Sequence, residues 1–407
     1  MLRLAATLLF AAAVCVFLFV AHACLVPDPP RPNPDPLRRS GAENVELRVL
    51  IGWPVGALGV SFQGEARVTV EGSGAAAADL SPGAHAASLD GSAIRLGARR
   101  FEAASIRIEF TAGRFTLEGK DASGKPRSTA YRGHLGLHRA GASLLVVNVV
   151  MLDDYLLGVV GREMSLQPGL TEALKAQVIA ARTYALYERD LPREGPFDLY
   201  DDERSQAYGG VAAETELAKE VVDTTRGLVV LYLNRVVPTF YSSTCGGETE
   251  PAWEMLDNVE KLPPLRGATC GHCSASPHYE WSSRLSRAAM AEAVFGRPGI
   301  VEEVRVERRA KGGHALEVVV RLRGAAEGVR LEANRGFRHK LGTRVLRSTL
   351  ITEIKGAGTD AFEIRGRGWG HGAGMCQWGA YGMARTGRSA HEILEHYFPG
   401  ALVTRRY

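Results

Sequence analysis

The stretch from Thr171 to about Asp190 constrains the fold more than any other part of this chain. Leu174, Val178, Ala181 and Ala185 recur at helical spacing, and Gln167, Pro168 and Gly169 break the chain just before them, so a helix opens at Thr171. Ala173, Ala176, Ala180 and Ala181 keep that helix slim, so its neighbours can pack closely. Much of the rest reads differently. Val45 to Ile51, Arg67 to Val70, Ser105 to Phe110 and Arg114 to Leu117 are short alternating runs separated by Gly and Ser. Gly, at 46 of 407 residues, exceeds its usual share of about 7% and favours a turn-rich, strand-heavy protein over a helical bundle. The expected fold is therefore α+β: a β-rich module over residues 45–130, then a mixed domain over 131–407 built around the 171–190 helix.

Within this frame, Gly74 to Asp79 and Pro82 to Ala87 lack large apolar groups and read as loops. Leu144 to Val150 is continuous and β-branched, as a strand buried on both faces would be. Asp153 and Asp154 then supply N-cap chemistry for a helix carrying Tyr155, Leu156 and Val159. A helix over 214–225 should lead into strands over 227–233 and 238–243, followed by a helix over 284–296, a hairpin over 301–322 and a terminal helix over 391–398. The length exceeds what one hydrophobic core usually fills. With 45% apolar and 23% charged residues the chain is globular in composition. Lys plus Arg number 49 against 45 Asp plus Glu, a net charge of +4 with no long basic run, which argues against a nucleic-acid partner.

Arg3 precedes an uncharged run from Leu4 to Ala21, and Ala21-His22-Ala23 has the small-x-small pattern of a signal-peptidase site, so residues 1–23 read as an export segment. Three fates remain open: a cleaved signal, a retained membrane anchor, and a lipoprotein acylated on Cys24, and all put the remainder outside the cytoplasmic membrane. Residues 24–44 form a Pro-rich, extended linker. The membrane is expected to be touched only through the N-terminal segment.

Four segments carry candidate chemistry. In Tyr155-Leu-Leu-Gly-Val-Val-Gly-Arg-Glu163-Met164 a lone carboxylate follows an apolar helix, where desolvation would raise it toward the range of a general acid/base; a plain surface Glu is the alternative. Lys175, Gln177, Arg182 and Tyr184 are long polar groups on a small, apolar helix, able to brace a carboxylate or an anionic ligand, or to snorkel to solvent. The third segment holds Tyr241-Ser-Ser-Thr-Cys245-Gly-Gly, Cys270-Gly-His-Cys273 and Pro277-His278-Tyr279. In the fourth, glycines crowd around His371 and let the backbone approach a ligand, while Trp369, Trp378 and Tyr381 offer flat faces suited to sugar rings, or to core packing.

Taken in order, Val147-Asn148-Val149, Asp154-Tyr155-Leu156, Gly158-Val159-Val160 with Glu163-Met164, Glu172 to Tyr184, Ser205-Gln206-Ala207-Tyr208, Thr244-Cys245-Gly246-Gly247 and Gly370-His371-Gly372 through Gly379-Ala380 resemble the SpoIID/LytB family of sporulation and cell-wall lysis. The resemblance covers residues 130–407 and implies a SpoIID-like catalytic domain. It also implies a peptidoglycan lytic transglycosylase, which cuts between N-acetylmuramic acid (MurNAc) and N-acetylglucosamine (GlcNAc) on peptide-free strands and leaves 1,6-anhydro ends. The family's catalytic Glu falls on Glu163. Lys175, Arg182 and Tyr184 would then support charge and orientation, with Gln206, Tyr208, His371 and Gln377 expected on the cleft wall. LytB-type relatives enhance a cell-wall amidase, so a glycan-binding modifier partnered with an amidase is the alternative.

Some family members carry zinc. With Cys15 and Cys24 assigned to the N-terminal region, Cys245, Cys270, Cys273 and Cys376 remain, and the Cys270-x-x-Cys273 spacing suits one metal between two thiolates. The family motifs put Cys245 and Cys376 near the same site. A structural zinc held by all four, with His278 or His272 as substitute ligand, is expected over a pair of disulfides, the default for an exported protein. A zinc hydrolase is disfavoured, since four thiolates would close the coordination shell.

Overall fold

The computed structural model describes residues 45–407 except 53–56, 73–75, 121–124, 167 and 168. The export segment, Cys24, the Pro-rich linker and the Gln167-Pro168 break lie outside the described residues. The architecture is α+β, as expected.

Two sheets open the described chain. A seven-stranded sheet runs in the order Leu199–Tyr200, Glu46–Leu50, Ser143–Met151, His134–Ala140, Ser105–Phe110, Ala66–Val70 and Ala76–Leu80. A six-stranded sheet runs Pro126–Arg132, Arg114–Lys120, Ala57–Phe62, Gly83–Asp90, Ala93–Leu96 and Arg99–Phe101. The larger sheet takes strands from both sides of residue 131. Ser143–Met151 is central and flanked on both edges, which is why its apolar run is continuous.

Two segments expected as loops are strands. Ala76–Leu80 pairs with Ala66–Val70 at the sheet edge, and Gly83–Asp90 lies between Ala57–Phe62 and Ala93–Leu96 with Ala87 wholly buried. Their small side chains carry little strand propensity of their own; pairing with better strand formers, on one side of Ala76–Leu80 and on both sides of Gly83–Asp90, supplies it.

The first helix, α1 (Leu152–Glu163), leaves the central strand without a break, and its N-cap is Met151 with no side-chain cap. Asp153 and Asp154 therefore lie inside the first turn instead of capping it. The second helix, α2 (Thr171–Asp190), spans the range read from the sequence, and its face is so small that 15 of its 20 residues are buried. A third, α3 (Glu216–Thr224), is shorter than expected because Glu214 and Thr215 are extended and the Thr215 side chain caps it. Of the expected 238–243 strand only Tyr241–Ser242 forms, paired in parallel with Met375–Cys376. Residues 284–286 continue the strand Glu280–Ser286, and the helix there is Arg287–Phe295, capped by Ser286. The hairpin Val301–Arg309/Ala315–Leu322 and the terminal helix Ala390–Tyr397 form as expected.

One core unites the two sheets, α1 to α3 and the cysteine loops. A second core, from Trp281 to Ile364, belongs to an excursion between Cys273 and Cys376. That excursion starts and returns as one antiparallel pair, Glu280 opposite Arg367.

Candidate active site and thiol cluster

Glu163 is the last residue of α1, delivered to the end of the helix by a run in which Leu156, Val159 and Val160 are fully buried. Its side chain is partly accessible, yet surrounded closely by protein. The Ala207 N–H donates to Oε1 at 2.7 Å. Burial lifts the carboxyl to about 7, against the pull of that N–H, of Gln377 hydrogen-bonding toward it, and of Arg162. Exposed Glu203 adds a small upward push through its charge.

A buried polar ladder runs beside it. The Tyr155 hydroxyl donates to Gln206 Oε1 at 3.2 Å, while Gln206 Nε2 donates to the Tyr241 hydroxyl at 2.8 Å and to the Ala181 carbonyl at 3.2 Å. Tyr155 and Tyr241 both feel the charge of Glu163, which with burial holds their phenols well above the ordinary range. On the other side Gln377 Nε2 donates to Gln177 Oε1 at 3.4 Å, and Gln177 Nε2 is buried with no hydrogen-bond partner. Tyr184 lies near the ladder, close enough to act through its charge on Tyr155 and Tyr241, with its ring 5.7 Å from Phe240.

The sequence candidates thus separate. Glu163, Gln206, Gln377 and Tyr184 come together. His371 lies next to them but is occupied, with Nε2 on the Tyr241 carbonyl at 2.9 Å and Nδ1 accepting from the Ala373 N–H at 3.1 Å. Burial pulls it down to about 4, so it fastens the Gly-rich loop as a neutral ring.

Three others go elsewhere. Lys175 pairs with Glu172 one turn away at 2.8 Å. Tyr208 sits below the floor, donating to Asn148 Oδ1 at 2.9 Å and packed on Tyr131 and Tyr155. Arg182, with no exposed surface, reaches Asp153 Oδ1 at 3.0 Å and the Thr225 carbonyl at 2.9 Å. Asp153 and Glu163 are ten residues apart on α1, roughly 15 Å along the axis, so Arg182 ties α1 to α2 and α3 and does not brace the carboxylate. The residues the sequence reading gave no role are Tyr155, Tyr241 and the Ala207 N–H, while Gln177, one of the polar groups read on the 171–190 helix, reaches the site through Gln377. Tyr155 and Tyr241 stood inside the chosen segments; only their distance from one another along the chain hid their convergence.

Cys245, Cys270, Cys273 and Cys376 are all buried and their Sγ atoms lie within 4.8 Å of one another. Cys245 and Cys273 are 3.7 Å apart, close to the edge of a tetrahedron with zinc–sulphur bonds of about 2.3 Å. The donor set fits zinc. Peptide N–H groups of Cys245 and Gly379 point at Cys376 Sγ, each at 3.3 Å, and the Gly247 N–H points at Cys245 Sγ at 3.4 Å, arrangements that favour thiolates. A side chain at Gly379 would collide with Cys270 Sγ, 2.6 Å from where its Cβ would stand.

Among the described residues no helix is long and apolar enough to cross a membrane. The family model of the stage II sporulation protein SpoIID matches residues 140–232, the stretch containing α1, α2 and Glu163. An uncharacterised protein of Brachyspira hyodysenteriae is 32% identical over 70% of this chain and 73% of its own length. Stage II sporulation protein D of Bacillus subtilis is 29% identical over 63% of this chain and 76% of its own. The amidase enhancer of the same organism is 26% identical over 61% of this chain and 40% of its own length. Motifs, site and relatives agree, and the chain belongs to the SpoIID/LytB family.

Proposed function

We propose that this protein is an exported lytic transglycosylase that cleaves the MurNAc–GlcNAc bond of peptidoglycan glycan strands, with Glu163 as its one acid/base. The observation that carries this reading is a partly open carboxyl lifted to about 7. Such a group is protonated often enough to donate and ionised often enough to accept. Because Oε1 accepts from the Ala207 N–H, the mobile proton belongs on Oε2. From there it goes to the glycosidic oxygen as the bond to C1 breaks. The muramoyl O6 then attacks C1, its proton returns to Glu163, and a 1,6-anhydro ring closes without consuming water. One carboxylate suffices because the nucleophile comes from the substrate, unlike the paired carboxylates of glycoside hydrolases.

In the same reading Cys245, Cys270, Cys273 and Cys376 hold a structural zinc. It would fasten the loops of Cys245 and Cys376 near the cleft through binding energy and take no part in bond breaking.

The relative named amidase enhancer supports a second reading, in which the cleft binds glycan and assists an amidase without cutting. Mass spectrometry of peptide-free strands after digestion separates the two. Anhydro ends that vanish with Glu163→Gln support the transglycosylase. Reducing ends would make it a hydrolase, and no cleavage with stimulation of an added amidase would make it a modifier.

A further inference from the structure

The excursion between the cysteines carries a group of cations with no anion to match them. Arg338 is 5% exposed, and its guanidinium meets no anion: it donates to the carbonyls of Leu346 and Arg347 at 3.0 and 3.1 Å and to Asn334 Oδ1 at 3.1 Å, with Nη1 3.5 Å from His339 Nε2. Burial pulls it down to about 10 with no acidic neighbour to offset the cost. Arg182, equally buried, has Asp153; among the described residues no carboxylate pairs with Arg338 or with Arg347. Arg347 lies over the Trp369 ring, 5.2 Å from its centroid, and its Nη1 is 3.3 Å from His278 Nδ1. The His278 ring stands edge-on to Trp369 at 4.4 Å. Arg347, Trp369 and His278 are all half-exposed.

This group borders the Glu163 site. Trp369 is two residues from His371, which is bonded to the Tyr241 carbonyl and is held down by burial and, in smaller part, by the charge of Arg338. Glu203 acts electrostatically on Glu163 and also on His339, next to Arg338.

We propose that Arg338 and Arg347, with Trp369, form a subsite for a carboxylate carried on a sugar ring, and that its occupant is the free lactyl carboxylate of a muramic acid without its peptide. The guanidinium fork matches a carboxylate, and an indole face matches a pyranose ring. In a peptide-bearing strand the same carboxyl is an amide, neutral and a weaker acceptor. The subsite therefore reads the state of the strand by charge, independently of the bulk of the peptide. This inference rests on the glycan-cleaving function and adds to it the residues that sense whether the peptide has been removed.

The test uses the full chain carrying Glu163→Gln, to prevent turnover, and two ligands: a peptide-free GlcNAc–MurNAc tetrasaccharide, and the same molecule with its lactyl carboxylates converted to methylamides. The methylamide reproduces the charge change of a peptide linkage without its size. Calorimetric titration should show the free acid binding at least about tenfold more tightly, the range of a charge-assisted hydrogen bond. Arg347→Gln should bring that ratio close to one, and Arg347→Lys should retain part of it. Equal binding of the two ligands, no binding of either, or a preference that survives Arg347→Gln overturns the subsite. Digestion of the free acid by the unsubstituted protein runs in parallel. Anhydro ends without charge discrimination refute the subsite and leave cleavage standing, while discrimination without anhydro ends does the reverse.

Discussion

Glu163→Gln should stabilise the folded protein, and only on the alkaline side. An unfolded glutamate ionises near 4.5 and the folded one at about 7. As pH rises between those values the unfolded chain releases its proton first, so stability falls through this window and the loss is complete above it. At about 1.4 kcal/mol per pKa unit the full loss is at most ~3.5 kcal/mol, and the partial opening of Glu163 to solvent places the outcome below that limit. Gln keeps the shape and the acceptor for the Ala207 N–H but never ionises. At pH 8 the variant should therefore be about 2–3 kcal/mol more stable, a melting temperature higher by roughly 3–4 °C for a chain of this size. At pH 4 the two proteins should unfold together. Thermal or urea unfolding of both proteins at each pH measures this, and other titrating groups cancel in the difference. A variant that is less stable at pH 8, or a gap of equal size at both pH values, would refute the burial of an ionisable acid at this position.

Three further outcomes follow from the same geometry. Asp153→Asn leaves Arg182 buried and uncompensated and should cost about 3–5 kcal/mol in urea unfolding, whereas Asp153→Leu with Arg182→Met should cost much less than the single change. Gln377 hydrogen-bonds toward Glu163 and holds it down, so Gln377→Leu should move the alkaline fall of the cleavage rate to higher pH; a fall at unchanged or lower pH contradicts that contact. Metal analysis of purified protein should give one zinc per chain with four titratable thiols under denaturing, non-reducing conditions, and Cys376→Ser should lose the metal and lower the melting temperature. No metal and no free thiols would instead mean two disulfides.

What could be read from the sequence followed local rules. Helix α2 was legible because its period and the breaks around it are contained in one window, and Glu163 because it ends an apolar helix. Strands Ala76–Leu80 and Gly83–Asp90 were not legible, since what makes them strands is the neighbours they pair with. Arg182 shows the same limit for side chains. Its residue type announced that a buried cation needs a partner, but the partner lies 29 residues earlier and on the far end of α1 from Glu163. Tyr155, Gln206 and Tyr241 form one hydrogen-bonded ladder from three separate segments, which no local pattern displays.

The paired start and return of the excursion at Glu280 and Arg367 makes it replaceable. A body that leaves and rejoins the chain at one point can lengthen, shrink or change its surface without displacing the helices that hold Glu163. Most of its packing is its own, from Trp281 to Ile364, and Ala310 and Leu316 of its hairpin join it to the other core. Under the proposed function, variation concentrated there would retune which strands are admitted while Glu163 is left untouched, so substrate choice and bond cleavage would evolve on separate schedules within one chain.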